Sequence, residues 1–262
     1  MKKIFYYFNI WILMSRNSFM SYLSNKLVIS IFLIGKILRF IFFFAFIYFL
    51  ISKTKNLAGY NLNQTIFFFL TFNLVDITTQ FFFREAYKFR QLLVTGDFDL
   101  MLIKPVNVLF RVLMGGADLL DFITIPAIFI AVVIYGKFLE PSFFQILIYI
   151  LLMINAFIIA ASFHIIILAF GILTLEVDNT IMIYRDLMSL GKFPVDIYLK
   201  PLKEILTFLI PVGLIATLPS KALMGLLTTR VVLFSFFIGF FLIFVSLKFW
   251  AFALRKYSSA SS

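Results

Sequence analysis

The sequence predicts an all-α membrane protein: six transmembrane helices, an N-terminal interfacial helix, a cytoplasmic elbow of the chain, and outer re-entrant helices before the last span. Three observations predict this class. Of the 262 residues, 63% are hydrophobic and 13% charged, which is too little polar surface to cover a soluble domain of this length. The apolar residues form runs of about 20, the length that crosses a bilayer as a helix. Basic residues gather at the ends of these runs, where lipid headgroups lie.

The first 26 residues are predicted to form a helix that lies on the cytoplasmic membrane surface. Their apolar stretch is too short to span and is flanked by polar and aromatic side chains. The first span follows over residues 27–51. Lys36 and Arg39 lie in its first half, and we expect them to reach the near headgroups or to face protein, because a cation exposed deep in lipid is costly.

The second span, residues 64–83, carries polar side chains on one face of its second half. With the residue that follows the span, they are spaced by three and four and therefore form one stripe: Asn73, Asp76, Gln80 and Arg84. Asp76 is an intramembrane carboxylate and is expected to face protein or water. Two interpretations stay open: Asn73, Asp76 and Gln80 line a substrate path, or they belong to a buried network in which Asp76 pairs with Lys36 or Arg39.

Residues 84–107, called the elbow below, join the second span to the third. The elbow begins with three cations, Arg84, Lys88 and Arg90. A turn is predicted by three residues that follow, Gly96, Asp97 and Asp99, because Gly tolerates positive φ and Asp accepts backbone N–H bonds. Lys104 and Pro105 then end the helical pattern. The charges alone fit an ordinary connecting loop as well as an elbow that lies on the membrane surface.

Four further spans are predicted, at residues 108–135, 143–173, 179–195 and 231–254. Asp118 and Asp121 share a helix face near the start of the third span, where a bound cation and a solvated helix end are both open. His164, the one histidine, lies in the fourth span. It has no second histidine with which to hold a metal, and a packed, hydrogen-bonded role is favoured over a proton relay.

Residues 196–230 are predicted to form an outer re-entrant segment. Prolines interrupt the apolar stretch that contains it, at positions 194, 201, 211 and 219, so an unbroken span cannot form there. With the N-terminus inside, most cations fall on the cytoplasmic side. Seven fall outside: Lys53, Lys55 and Lys137 in short loops, and Lys192, Lys200, Lys203 and Lys221 in the long segment. The positive-inside bias is therefore modest.

Motifs of ATP hydrolysis and of metal or covalent catalysis are missing from the sequence. There is no GxxxxGK[ST] loop, no cysteine and a single histidine. We therefore expect a protein that is not an enzyme, needs no cofactor or metal, and forms one transmembrane domain over residues 1–262 of the cell inner (cytoplasmic) membrane. The net charge of +11 at pH 7 indicates anionic headgroups rather than nucleic acid as the partner.

Four sequence blocks occur in a fixed order along the chain. The first is residues 96–99 (GDFD) with 102–107 (LIKPVN), and the second is 174–179 (TLEVDN) with 192–198 (KFPVDIY). The third is residues 206–213 (LTFLIPVG) with Pro219 and 222–225 (ALMG), and the fourth is the tail 257–262 (YSSASS). Together they resemble the ABC-2 type permeases, in the subgroup of six-span exporters that are multidrug-type or uncharacterised.

This resemblance implies a half-transporter that exports an amphipathic or hydrophobic substrate through the membrane. Its implied partners are a separate soluble ATP-binding subunit, a second permease subunit that is identical or related, and membrane lipid. The elbow would dock on the ATPase and be moved by it. The residues so assigned to ATPase coupling are Arg84, Glu85, Lys88, Arg90, Gly96, Asp97, Asp99, Lys104, Pro105 and Asn107.

Two other functions stay open at this point. A secondary transporter or channel that works without an ATPase could use Asp76, Asp118 and His164 as an ion relay. A membrane scaffold that only recruits a partner would need none of these residues.

Overall fold

The structure is a computed structural model that describes residues 2–258, and it is 83% helical with no strand in that range. Residues 259–262, and with them most of the predicted tail block, lie outside the described residues. The α-helices are α1 (Lys2–Leu23), α2 (Lys26–Thr54), α3 (Leu62–Phe83), α4 (Phe89–Val94), α5 (Asp97–Leu102), α6 (Val108–Leu113), α7 (Leu119–Lys137), α8 (Phe143–Thr174), α9 (Val177–Ser189), α10 (Leu202–Glu204), α11 (Leu218–Leu223) and α12 (Thr229–Lys256).

The predicted all-α membrane class is confirmed. Within the described residues, five helical stretches are long and apolar enough to cross a bilayer: Lys26–Thr54, Leu62–Val94, Leu119–Lys137, Phe143–Thr174 and Thr229–Lys256. A sixth is reached if the bent pair Leu202–Leu209 and Gly213–Leu223, which meet at 76°, is counted as one span.

The core of the bundle is built around α3, which packs against α7 and α8, while α12 lies along α8. The most apolar part of the Leu62–Val94 stretch is 72% buried, whereas none of the corresponding part of α2 is buried. Because α2 touches the bundle along only one narrow side, lipid or a second protein must cover most of its apolar surface. The elbow defines one end of the bundle, the elbow end, and the loop between α2 and α3 defines the far end.

The predicted third span, residues 108–135, is divided in the structure. Helix α6 ends at Leu113, and α7 begins only at Leu119. A Cβ atom on Gly115 would overlap Glu85 and Arg111, so the chain approaches the elbow there more closely than a larger residue allows. Asp118 then caps α7 by accepting hydrogen bonds from the backbone N–H groups of Leu120 (2.8 Å) and Asp121 (3.1 Å).

The predicted fifth span, residues 179–195, corresponds to α9, which has only 13 residues and continues in a 3-10 turn at Leu190–Lys192. Arg90 in the elbow pairs with Asp178 at the start of α9 (3.8 Å), whereas Tyr60 at the far end donates to Asp196 (2.9 Å). The chain therefore passes from one end of the bundle to the other between residues 178 and 196.

The first arm of the bent pair begins, and the second arm ends, at the far end of the bundle. Lys203, in the first arm, and Lys221, in the second, each bind the carboxylate of Asp196, at 2.9 Å and 2.6 Å. A re-entrant loop and a single bent span both fit a pair of helices of this kind, so the re-entrant segment 196–230 stays a prediction.

Candidate functional site

The elbow is a chain of short helices with one turn in a left-handed conformation. A 3-10 turn (Arg84–Lys88) leads into α4, and Gly96 lies between α4 and α5 at φ +78°. This conformation is open to glycine without strain. Asp97 and Asp99 follow in the first turn of α5, where acidic side chains favour the positive end of the helix dipole.

Aromatic rings fasten the elbow to the end of α12. Phe89 and Phe98 are fully buried and pack edge to face at 5.2 Å, and Phe98 packs in the same way on Tyr257 at 5.0 Å. The Tyr257 hydroxyl donates to Asp99 Oδ1 at 2.8 Å. Burial, together with the neighbouring Asp99, raises the pKa of Tyr257 to about 12, so the hydroxyl keeps its proton at neutral pH. The sequence signal for this anchor was the aromatic residue directly after α12.

The N-terminal helix lies along the other side of the elbow. The Tyr6 hydroxyl donates to the Pro105 carbonyl (3.4 Å), and the Asn107 backbone N–H donates to the Tyr7 hydroxyl (3.2 Å). The Asn107 side chain caps α6 through the Phe110 N–H (3.0 Å). Pro105 and Asn107 therefore connect α1 to the start of the third span region.

The charged residues of the elbow divide into an inward and an outward group. Arg84 turns toward the bundle, where its Nε lies 3.4 Å from Asp118 Oδ2, and the Glu85 side chain is only 16% exposed. Four others are exposed to solvent: Lys88, Arg90, Asp97 and Lys104. Ile103, beside Lys104, is 80% exposed, although in the sequence it belongs to an ordinary apolar run.

A cavity of about 480 Å³ opens between α2, α3, α7 and α9. The predicted path residues Asn73, Asp76 and Gln80 all lie on its wall, with His164 of α8. The Asn73 amide is already used, since it donates to the Phe69 carbonyl at 2.7 Å. The remaining wall is largely aromatic and aliphatic, as in most sites for small amphipathic molecules.

A polar chain runs from the cavity to the start of the elbow. Gln80 donates to Asp76 (2.9 Å), Arg84 donates to Gln80 (3.4 Å), and Arg84 pairs with Asp118. The proposed pairing of Asp76 with Lys36 is wrong, because Lys36 binds Asp121. Asp118 and Asp121 are 2% and 1% exposed, so the interpretation as a solvated helix end is also wrong. Their burial with cationic partners follows from the cost of leaving a buried carboxylate unpaired.

This series of polar contacts does not form the ion relay of Asp76, Asp118 and His164 that was considered for a secondary transporter. It contains Asp76 and Asp118 but passes through an arginine, which stays protonated in proteins and cannot hand a proton on. His164 stands apart from it, with Nδ1 at 2.9 Å from the Ala160 carbonyl.

Three further cations face the cavity: Arg39, Arg185 and Lys192. All three act electrostatically on Asp76. Arg185 lies over the Tyr87 ring at 5.7 Å, and Lys192 lies over the Phe43 ring at 5.6 Å. The sequence signal for Arg185 and Lys192 was a charge inside an apolar stretch, but periodicity could not show that both face Asp76.

Asp196 holds the charged cluster at the far end together. Burial opposes its charged form, but hydrogen bonds from Lys221 and Lys203 outweigh burial and lower the pKa of Asp196 to about 2. Burial and the same carboxylate raise the pKa of Tyr60. The cluster is therefore an ionised, hydrogen-bonded clasp at neutral pH.

The clasp should make the protein sensitive to acid. A carboxylate whose pKa is lowered by folding stabilises the fold above its unfolded value, near pH 4, and this contribution is lost as the pH falls toward 2. We expect Asp196→Asn to lower the free energy of unfolding above pH 4 by on the order of 1 kcal/mol, a figure reduced for partial exposure. Thermal unfolding of the purified protein, measured from pH 7 to pH 2, should show the two curves converging in acid.

Asp178→Asn is the matched control, because Asp178 is exposed in a single ion pair at the elbow end. It should leave the stability at pH 7 close to that of the parent protein. Parallel curves for the parent and Asp196→Asn down to pH 2 would contradict the clasp.

Comparison with known proteins gave one match. A protein-family model described as ABC-2 family transporter protein matches residues 33–261. No curated protein and no solved structure matches the chain. The matched range contains the whole elbow and every residue named above on the cavity wall.

Proposed function

Because the chain belongs to the ABC-2 family of transporter proteins and is a multi-pass transmembrane subunit of an ABC transport system, we propose that it exports an amphipathic or hydrophobic substrate across the cytoplasmic membrane. A separate ATP-binding subunit supplies the energy, and a second permease subunit, identical or related, completes the path. The observation that carries this proposal is the family match, which includes both the elbow and the cavity.

We assign the elbow end to the cytoplasm and the far end to the outside. The elbow, the start of α1 and the last turn of α12 supply cations at the elbow end, which agrees with the positive-inside rule. The clasp of Asp196, Lys203 and Lys221 then lies on the outer face and holds the re-entrant segment closed over the bundle. α9 is the crossing element between them.

The exposed part of the elbow is the docking surface for the ATP-binding subunit. It combines exposed apolar side chains, of which Ile103 is the most exposed at 80%, with the cations Lys88, Arg90 and Lys104. An apolar centre with a charged rim is the usual composition of a protein interface. Arg84 and Glu85 hold the elbow on the bundle and take no direct part in docking.

Movement of the elbow reaches the substrate cavity by two routes. Arg84 links the elbow to Gln80 and Asp76 on the cavity wall, and Arg90 links it to α9, which carries Arg185. When nucleotide binding closes the ATPase and displaces the elbow, these contacts transmit the displacement to opposite walls of the cavity.

Docking through the elbow is tested by one substitution at its most exposed apolar residue. The chain is co-expressed with a candidate ATP-binding-cassette subunit from the same genome, and the ATPase recovered with the purified permease is measured. Ile103→Asp should lower the recovered ATPase about tenfold or more, because a carboxylate would replace an apolar contact at the centre of the interface.

Leu199→Asp is the control, since Leu199 is 84% exposed at the far end and the substitution has the same chemistry. The amount of ATPase that co-purifies with this variant should equal the amount that co-purifies with the parent protein. If no ATPase accompanies the parent protein, the proposed function fails. If both variants lose it equally, the elbow is not the docking surface.

A further inference from the structure

We propose that the cavity binds an amphipathic anion, an apolar chain that carries a phosphate or carboxylate headgroup, and that Arg39, Arg185 and Lys192 bind the headgroup. This inference rests on the proposed transport function and names the class of substrate that the path accepts. The charge of the cavity, the depth of its arginines and two unpartnered polar atoms support it.

The cavity has an excess of positive charge. Lys36 is neutralised by Asp121, which leaves three cations, Arg39, Arg185 and Lys192, facing one carboxylate, Asp76. Within residues 2–258, none of the three has a carboxylate oxygen within 4 Å. A bound anion would supply the missing counter-charge, and a cationic amphiphile would be repelled.

The depth of Arg39 argues against a purely anchoring role. Arg39 lies in the middle of the 29-residue α2, about 20 Å from either end at ~1.5 Å per residue. A hydrocarbon layer about 30 Å thick centred on α2 would have its boundaries roughly 15 Å from Arg39, beyond the reach of an arginine side chain. Arg39 on α2 and Arg185 on α9 both line the cavity and are both exposed. Two arginines at membrane depth mark a place where a polar group is received.

Two buried polar atoms on the cavity wall have no hydrogen-bond partner among the described residues: Thr79 Oγ1 and His164 Nε2. The Thr79 hydroxyl can donate to a headgroup oxygen. Because the Nδ1 atom of His164 lies 2.9 Å from the Ala160 carbonyl, Nδ1 carries the proton and Nε2 is left as an acceptor. A headgroup with both an anionic oxygen and an O–H group, such as a phosphate monoester, has the chemistry to pair with both atoms, each of which is buried and would be uncovered only by a side-chain movement.

The rest of the wall suits an apolar chain. Phe40, Phe43, Phe69 and Phe72 line one side of the cavity, and Ile123, Ala127 and Ile128 line another. Helix α2 borders the cavity, and none of its most apolar part is buried, so lipid reaches this side of the cavity wherever a second protein does not cover it. An amphiphile can therefore enter sideways from the bilayer, with its headgroup moving toward the arginines and its chain staying among the phenylalanines.

Binding is measured on the full-length chain alone, purified in a neutral maltoside detergent, with no ATPase present. Native mass spectrometry counts bound dodecyl phosphate, dodecylphosphocholine and dodecyltrimethylammonium, which share one chain and differ in headgroup charge. We expect dodecyl phosphate to bind about tenfold or more tightly than the zwitterion, and the cation to bind least. Equal binding of all three would overturn the proposal.

Charge variants then locate the site. Arg39→Gln with Arg185→Gln should weaken dodecyl phosphate binding about tenfold or more, and Arg39→Lys should preserve it. Asp76→Asn removes the opposing charge and should tighten binding severalfold, a gain that misfolding cannot produce. Lys248→Gln, which removes an exposed span cation outside the cavity, should change nothing. Equal losses from Lys248→Gln and the double variant, or weaker binding by Asp76→Asn, would overturn the proposal.

Competition identifies the source of the anion. Displacement of dodecyl phosphate by phosphatidylglycerol points to a membrane lipid, and resistance to it points to a single-chain amphiphile. Inorganic phosphate should not displace dodecyl phosphate, because it lacks the apolar chain. Displacement of dodecyl phosphate by inorganic phosphate at low millimolar concentration would overturn the amphipathic part of the proposal. Since the ATPase is absent throughout, binding without co-purification refutes only the proposed function, and co-purification without anion selectivity refutes only this inference.

Discussion

Substituting Gly96 by proline should uncouple ATP hydrolysis from transport while leaving insertion into the membrane intact. Gly96 has φ +78°, whereas proline fixes φ near −65°, so the junction between α4 and α5 must reorganise. We expect substrate-stimulated ATP hydrolysis by the reconstituted complex to fall roughly tenfold, which corresponds to a loss of ~1.4 kcal/mol of coupling free energy. The measurement compares hydrolysis with and without substrate in proteoliposomes.

Gly59→Pro provides a close control at the far end. Gly59 has φ +87°, and nothing lies within 4 Å of a Cβ atom built on either glycine, so the local backbone perturbation is similar. Its complex should keep its stimulation by substrate. Full coupling in Gly96→Pro, with the variant present at parental levels in the membrane, would show that the elbow is only a connecting loop.

The largest effect on stability is expected from Gly239→Ala, in α12. A Cβ atom at this position would overlap Asn155 Oδ1. Asn155 in α8 also donates to the Ser235 carbonyl (2.9 Å) and hydroxyl (3.0 Å), so moving its side chain breaks the hydrogen bonds that join α8 to α12. Overpacking and lost hydrogen bonds together predict a destabilisation of about 2 to 4 kcal/mol, visible as a lower midpoint of thermal unfolding.

Gly35→Ala, in α2, has the same chemistry without the contact, because nothing lies within 4 Å of its added Cβ. It should change stability by less than about 1 kcal/mol, in the stabilising direction that helix propensity favours. Adding Asn155→Ala to Gly239→Ala removes the overlap, so the double variant should lose less than the sum of the single losses. Additive losses would place the cause elsewhere.

Most long helices could be predicted from the sequence because their apolar runs decide their extent. The predicted 27–51, 143–173 and 231–254 became Lys26–Thr54, Phe143–Thr174 and Thr229–Lys256. Run length could not reveal the division of the third span, because the close approach of Gly115 to Glu85 is a tertiary contact. The start of α7 after Asp118 likewise depends on the burial of Asp118 beside Arg84.

The sequence predicts which polar side chains of α3 share one helix face, but not which cations from other helices lie opposite them. The spacing of Asn73, Asp76 and Gln80 predicts one shared face, and all three line the cavity, since helical periodicity fixes which side chains share a face. Their role in a substrate path stays a prediction. Periodicity within one helix cannot say which cation from another helix stands opposite. Lys36 therefore pairs with Asp121 and not with Asp76, which periodicity could not predict. Arg185 lines the cavity because of how α9 packs against the bundle, which its position in a short helix did not reveal.

The shortness of α9 bears on how a headgroup could move. With 13 residues at ~1.5 Å each it measures about 20 Å, against about 48 Å for the 32 residues of α8. Helix α9 alone cannot cross a hydrocarbon layer about 30 Å thick, so the 3-10 turns that follow it, at Leu190–Lys192 and Val195–Ile197, complete the crossing. The headgroup of an amphiphile would then have its least hydrophobic route across the bilayer alongside α9, where Arg185 and Lys192 line the cavity.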